Sequence, residues 1–453
     1  RYRFCQNYLS CEITNFLDFY IEISPYACGD ILSSRKIPST FMKVNLHSAL
    51  NDTNIDASQS SSQRQVALSI SVIANELERT VPLNLCLILD HSGSMEGRPL
   101  ETVKQAAGQL VEKLKEGDRL SVVVFDHRAK VIVPNQIIND STSIKGEINK
   151  LRASGGTAID KGLKLGIEEL DKGRKDSISQ AFILTDGENE HGNNDLCLKL
   201  ARLATDYSIT LNSLGFGDDW NQDVLEKIAD VGGGALAYIQ RPEQAIEEFG
   251  KLFNRVQSVG LTNSYLKFCL MPRVRLAELK PIAQVAPDTI ELPVQKEENE
   301  FIVRLGDLMK DVERVVLVNT YIAKLPEGKQ TIAQLQIRYD DPAQGKEGLL
   351  SKSILVEANF MQQYQPQVNP QVQNHILALA KYRQTQIAET KLQQGDRAGA
   401  ATMLQTAAKT ALQMGDTGAA TVLQSSATHL QDGDELSEVE RKKTRIVSKT
   451  ILK

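Results

Sequence analysis

The 453 residues suffice for two to four domains, each able to bury its own core. A formal net charge of -5, with 52 Lys+Arg against 57 Asp+Glu, supplies no basic field for a nucleic-acid partner. No run of about 18 apolar residues is present to span a membrane, and no charged segment precedes a shorter apolar run at the N-terminus, so a soluble protein without a secretion signal is expected.

Residues 1–41 stand apart from the rest of the chain, since they hold eight of the 24 aromatics and three of the six cysteines (Cys5, Cys11, Cys28), in a chain that opens on Arg1. Met42 begins MKVNLHSALN, an ordinary alternating segment. Met42 is therefore read as the natural start and 1–41 as a non-native or disordered extension; the alternative is an aromatic segment that packs on the body. Past Met42 only Cys86, Cys197 and Cys269 remain. Their wide spacing suits neither a disulfide framework nor a zinc site and points to a reducing, cytoplasmic compartment.

In 42–81, MKVNLHSAL and RQVALSISVIAN read as two strands separated by the polar, turn-rich NDTNIDASQSSSQ. From 82 to 257 the pattern changes to an α/β alternation. Apolar strands at 83–89, 120–125, 130–134, 181–185, 209–216 and 235–239 interleave with helical periodicity at 99–115, 142–151, 158–171, 194–206, 221–230 and 242–256. In the first helix Leu100, Val103, Ala107, Leu110 and Leu114 share one face. Such alternation indicates a doubly wound, mostly parallel sheet covered on both faces, with ligands at the carboxyl ends of its strands.

Residues 258–360 return to apolar–polar alternation, near 264–279, 289–293, 299–305, 313–323, 332–339 and 350–357. Two early strands cannot stand alone. They are expected to join these segments in a β-sandwich, making the α/β unit an insertion. From 361 to 440 the chain turns Ala- and Gln-rich, with LQxGD at 392–396, 412–416 and 430–434 and GAAT(M/V)LQ at 399 and 418. Glycine past the last helical residue caps one helix and the following Asp starts the next, which predicts a bundle of short antiparallel helices with one helix per repeat. Residues 441–453 read as a basic tail, exposed and mobile, or else as a last helix with Ile446 and Ile451 against the bundle. Thr444, Ser448 and Thr450 lie among Arg441, Lys442, Lys443, Arg445 and Lys449. That pattern suits a basophilic Ser/Thr kinase and, once phosphorylated, a phosphothreonine-binding partner such as a forkhead-associated domain.

The strand at 83–89 runs into DHSGSM, placing Asp90, Ser92 and Ser94 in the turn at its carboxyl end. Alternate small residues let one turn aim three oxygens at one point, half of the octahedral shell that Mg²⁺ prefers. Thr157 in ASGGTAID and Asp186 in LTDGENEHG occupy other strand-end loops on the same sheet edge. D-x-S-x-S, then Thr in a GGT loop, then Asp in TDG, resembles the metal-ion-dependent adhesion site of von Willebrand factor type A domains, with all five positions in order. The resemblance implies that Ser92, Ser94 and Thr157 bind Mg²⁺ or Mn²⁺ directly, that Asp90 and Asp186 act through water or as outer ligands, and that the ion takes a Glu or Asp carboxylate from a partner protein.

His91 and His191 are expected to rim this site, while His47, His127, His375 and His429 are scattered without metal spacing. The glycines of LGFGDD at 214–219 lack the third of a dinucleotide fingerprint, and no Walker A loop occurs. The expected function is a non-enzymatic protein–protein interaction module. An extracellular adhesin would need a signal peptide. Aspartate-based phosphoryl transfer would need an acid two residues after Asp90, where Ser92 stands.

Overall fold

The computed structural model describes residues 44–73, 81–310 and 312–450. The expectations for 1–41 and for Ile451 lie outside them. β1 (Val44–Leu50), β2 (Asn54–Asp56) and β3 (Ser61–Val72) precede the α/β unit, and β2 arises within the stretch expected to be only turns. The unit comprises β4 (Leu83–Asp90), α1 (Arg98–Lys113), β5 (Arg119–Phe125), β6 (Ala129–Ile137), α2 (Ser141–Asn149) and α3 (Ile159–Gly173), followed by β7 (Ile178–Thr185), α4 (Asn194–Asp206), β8 (Ile209–Phe216), α5 (Gln222–Gly232), β9 (Gly233–Ile239) and α6 (Ala245–Gln257). After it come β10 (Val259–Leu270), β11 (Val274–Leu276), β12 (Ile282–Ala286), β13 (Ile290–Glu291), β14 (Gln295–Glu297), β15 (Glu300–Met309), β16 (Arg314–Ala323), β17 (Gly328–Asp341), β18 (Lys346–Leu350) and β19 (Ile354–Met361).

These flanking strands form the expected sandwich. One sheet runs β1-β3-β16-β12-β13, with β11 also on β16; the other runs β14-β15-β10-β17-β19-β2, with β18 on β17. The early β3 pairs antiparallel with the late β16, from Arg314 opposite Ile70 to Ala323 opposite Ser61. Leu68, Ile70 and Val316 of the first sheet meet Leu266, Val303 and Phe360 of the second in one core. A Cβ placed on Gly260 would lie 3.3 Å from Val72 Cγ1, so the chain leaves for the α/β unit and returns at neighbouring points.

Within the α/β unit the strand order is β6-β5-β4-β7-β8-β9, parallel throughout except for the edge strand β6, which runs antiparallel to β5. Every residue of the central β4 is buried, because helices cover both faces. Leu85, Leu87 and Leu89 point into a core with Leu100, Val103 and Leu110 of α1. Cys86 and Ile88 point the other way, toward Leu163 and Ile167 of α3. Each fully buried aliphatic contributes about 1.5–3 kcal/mol of transfer free energy, which fixes the register of β4 and hence where its last residue falls.

The C-terminal part is helical: α7 (Pro370–Gln393), α8 (Arg397–Gln413), α9 (Thr417–Gln431) and α10 (Glu438–Lys449). The repeats act as read from sequence. Gly395 and Gly415 adopt φ of 79° and 80°, and Asp396 and Asp416 accept the Gly399 and Ala419 amides at 2.8 and 2.9 Å as N-caps. α7 also seats Val372 against Ala67, Val285 and Val315 on the outer face of the first sandwich sheet.

Of the two readings of the tail, the exposed and mobile one is corrected in favour of the last helix. Residues 438–449 form a helix begun by a Ser437–Glu440 capping box, and it buries Thr444 and Ser448. The Thr444 hydroxyl shares a 3.0 Å hydrogen bond with Ser426, Ser448 donates to the Arg445 carbonyl, and Thr450 donates to Ile446. A kinase needs an accessible, extended segment, and Thr444 and Ser448 offer neither in this fold.

Candidate metal centre

β4 ends on Asp90, fully buried between β5 and β7. Its carboxylate accepts the Ser92 amide at 2.7 Å on one oxygen and the Thr185 hydroxyl at 2.5 Å on the other. The first bond folds the chain back into the short 3-10 turn Gly93–Met95, which presents both serines on one side. Ser92 and Ser94 hydroxyl oxygens stand 3.0 Å apart, and Ser94 donates to Asp186 at 2.7 Å. Thr157 joins from a third loop. A Cβ on Gly187 would lie 3.1 Å from its Oγ1 and 3.7 Å from Ser94 Oγ, so the β7 loop closes over these two hydroxyls with little room to spare at Thr157. All five residues singled out in the sequence therefore converge.

Backbone bonds lock the loops together. Gly93 N–H donates to Gly155 at 2.9 Å, His191 N–H to Thr157 at 2.9 Å, and Ala158 N–H to Asp126 at 2.8 Å. Gly155 has φ of 72°, and the His127 ring fills the space that a Cβ there would need; at Gly156 the His191 ring does the same. His127, read as scattered, thus belongs to the rim beside His191, with ring centroids 6.5 Å apart. His91 faces the Arg152 carbonyl at 3.0 Å.

Burial raises the Asp90 carboxyl above its ordinary value against its own hydrogen bonds, and the charge of Asp126 adds to the rise. Burial likewise pushes Asp186 up to about 6, with repulsion from Asp90 and Asp219 in the same direction. Neither forms an ion pair among the described residues. Among those residues no three His, Cys, Asp or Glu side chains gather in metal-holding geometry. The cluster is instead two carboxylates and three hydroxyls, a donor set suited to a hard, oxygen-seeking cation and not to a soft one. Sequence reasoning missed Asp126, Thr185 and Gly187; Asp126 follows β5 just as Asp90 ends β4, and that strand-end position is the signal that marks it.

Residues 84–251 match the von Willebrand factor type A domain, and residues 370–453 match the Sll0103-like, C-terminal alpha-helical domain. The uncharacterized protein sll0103 of Synechocystis sp. is 56% identical over 411 residues, which cover 91% of this chain and 98% of that one. Inter-alpha-trypsin inhibitor heavy chain H3 of Rattus norvegicus is 28% identical over 204 residues, 42% of this chain but 22% of that one. A solved von Willebrand factor type A structure from Catenulispora acidiphila has a TM-score of 0.76 at 17% identity, over 92% of this chain and 99% of that chain. The ArnB paralog VWA2 from Sulfolobus acidocaldarius gives 0.54 at 16% identity, over 90% and 98%. These two structural likenesses span nearly the whole chain and so bear on the fold as a whole. The chain belongs to the sll0103 family, in which a von Willebrand factor type A domain is followed by an Sll0103-like helical domain.

Proposed function

We propose that this chain is a non-enzymatic binding protein that clasps a Glu or Asp carboxylate of a partner through Mg²⁺ or Mn²⁺ at the strand-end cluster. The carrying observation is that Asp90 and Asp186, both raised by burial and neither ion-paired among the described residues, converge with the hydroxyls of Ser92, Ser94 and Thr157. Buried negative charge without a counter-ion is unfavourable, and a divalent cation relieves it. Ser92, Ser94 and Thr157 would hold the ion, with Asp90 and Asp186 behind them through water or as outer ligands. When bound, the ion supplies a Lewis-acidic position that a partner carboxylate completes. Gly187 and the fixed turn at Gly93–Met95 orient the hydroxyls in advance.

Ser92, where aspartate-based phosphoryl transfer needs an acid, favours binding over catalysis. A reducing compartment is supported by Cys86 and Cys197, buried reduced thiols that burial pushes up to about 12. The test is calorimetric titration of Mg²⁺ into wild type and Thr157→Ala, followed by partner capture from extract with and without EDTA. Heat and capture lost in the variant support the reading; capture unchanged in EDTA overturns it.

A further inference from the structure

Lys442 of α10 is 2% exposed. A buried ammonium is costly unless paired with a carboxylate. Lys442 has no ion pair among the described residues; it donates to the carbonyl of Asp218 and sits over the Trp220 ring, 4.5 Å from its centroid. Burial lowers its pKa. Stability alone does not account for such a residue, because methionine would fill the same space without the desolvation cost.

Its two partners lie in loop 217–221, between β8 and α5, on the sheet edge that carries the metal cluster. The same loop holds the cluster's rim. Asn221 caps α5 by accepting the Val224 amide at 3.1 Å, and its side-chain amide donates to Glu188 at 2.8 Å, two residues past Asp186. Lys442 is itself held in register by a charge ladder. Arg445 and Lys449, three and seven residues on, bind Asp223, Glu226 and Asp230, which have the same spacing along α5, at 2.5, 2.8, 3.0 and 2.7 Å. α10 buries no apolar side chain fully: Val439, Ile446 and Val447 are half-buried, while Lys442, Thr444 and Ser448 face inward. Against α5 this helix docks by charge, while Val447 and Thr444 tie it to the bundle, and the docked face carries Lys442.

We infer that Lys442 is a positioning residue for the metal site, supplied by the C-terminal helical domain, which clamps loop 217–221 where Asn221 can hold Glu188 and the metal loop in register. The inference rests on the proposed metal binding at the strand-end cluster. It also makes the helical domain a lever on the site, since anything that shifts α10 shifts the clamp.

The experiment compares full-length wild type, Lys442→Met, Lys442→Arg, Asn221→Ala and the Lys442→Met/Asn221→Ala double variant by Mg²⁺ calorimetry, thermal melting and tryptophan emission. Trp220 is the chain's only tryptophan, so emission reports the clamp directly. Lys442→Met should melt no lower than wild type, change Trp220 emission and weaken Mg²⁺ binding about fivefold or more. Arg, which keeps the charge and the aromatic contact, should restore most of the affinity. Asn221→Ala should weaken binding similarly, and the double variant should add little to either. Equal or tighter Mg²⁺ binding in Lys442→Met overturns the inference, because a purely electrostatic neighbour would favour the cation once its positive charge is removed. Additive losses in the double variant overturn the relay through Asn221. Absence of Mg²⁺ heat in wild type removes the metal reading and the positioning role with it, whereas wild-type heat with an unaffected Lys442→Met variant removes the positioning role alone.

Discussion

Gln180 of β7, in the middle of the α/β sheet, donates a 2.7 Å hydrogen bond to Asp307 of sandwich strand β15, and Thr210 of β8 donates to the same oxygen at 2.7 Å. Asp307 is 7% exposed, and burial raises its carboxyl above the ordinary range. This polar contact welds the inserted unit to its host. Asp307→Ala would leave two buried donors unpaired, at about 1–3 kcal/mol each. A lower urea midpoint, with early loss of cooperativity between the units, is expected; an unchanged midpoint would show that water replaces the carboxylate.

At Gly187 an added methyl would crowd Thr157 Oγ1 at 3.1 Å while only touching Ser94 Oγ at 3.7 Å. Gly187→Ala is expected to keep its circular dichroism and lose Mg²⁺ affinity about tenfold or more, because Thr157 Oγ1 must give way while the core below is untouched. Full affinity in this variant would mean that the ion sits elsewhere.

Mg²⁺ should raise the melting temperature of wild type, since a ligand that binds only the folded state stabilises it by mass action. Asp186→Asn should abolish that rise. In EDTA the same variant should melt at or above wild type, because the carboxyl it neutralises is pushed up to about 6 by burial and by Asp90. A large fall in EDTA would instead give Asp186 a structural role.

Thr444 lies 5% exposed against Ser426. Thr444→Glu puts a charge into that contact and should cost several degrees of melting temperature, whereas Lys443→Glu, on the exposed side of α10, should not. Mass spectrometry after kinase treatment of the folded protein should find Thr444 and Ser448 unmodified. Stoichiometric phosphate on either would show that α10 opens readily.

His375 of α7 has its pKa lowered from 6.5 by burial, against a smaller opposing effect of Glu313. The folded state therefore binds its proton later than the unfolded chain does. Its contribution to stability is present above pH 6.5 and is lost as pH falls through the lowered folded value. Unfolding free energy should decline across that window, and His375→Gln should flatten the decline; identical pH profiles would refute it.

Much of this was legible because local chemistry and tertiary placement agree. Asp90, Thr157 and Asp186 each close an apolar run or sit in a strand-end loop, so periodicity put them on one sheet edge, and the Gly-Asp pairs of LQxGD marked helix ends that Asp396 and Asp416 do cap. α10 was legible only as one of two readings of the tail, for a physical reason. Its buried face is Lys442, Thr444 and Ser448, with no apolar stripe to betray a helix, and the acids that make it dock lie on α5, over 200 residues earlier. His127 was missed because its neighbour His191 is close only in space. Asp126 belongs to no motif, and its place directly after β5 is the one signal that could have found it.

The adjacency of Val72 and Gly260 bears on how the molecule carries tension. The α/β unit is strung on the sandwich at these two neighbouring points, yet it is also tied to the C-terminal helices by the ion pairs of Arg445 and Lys449 with α5. A pull from the C-terminal side therefore loads α10 and its ion pairs with α5 before it reaches the β3–β16 pairing. In single-molecule stretching the release of α10 from α5 should precede rupture of the sandwich.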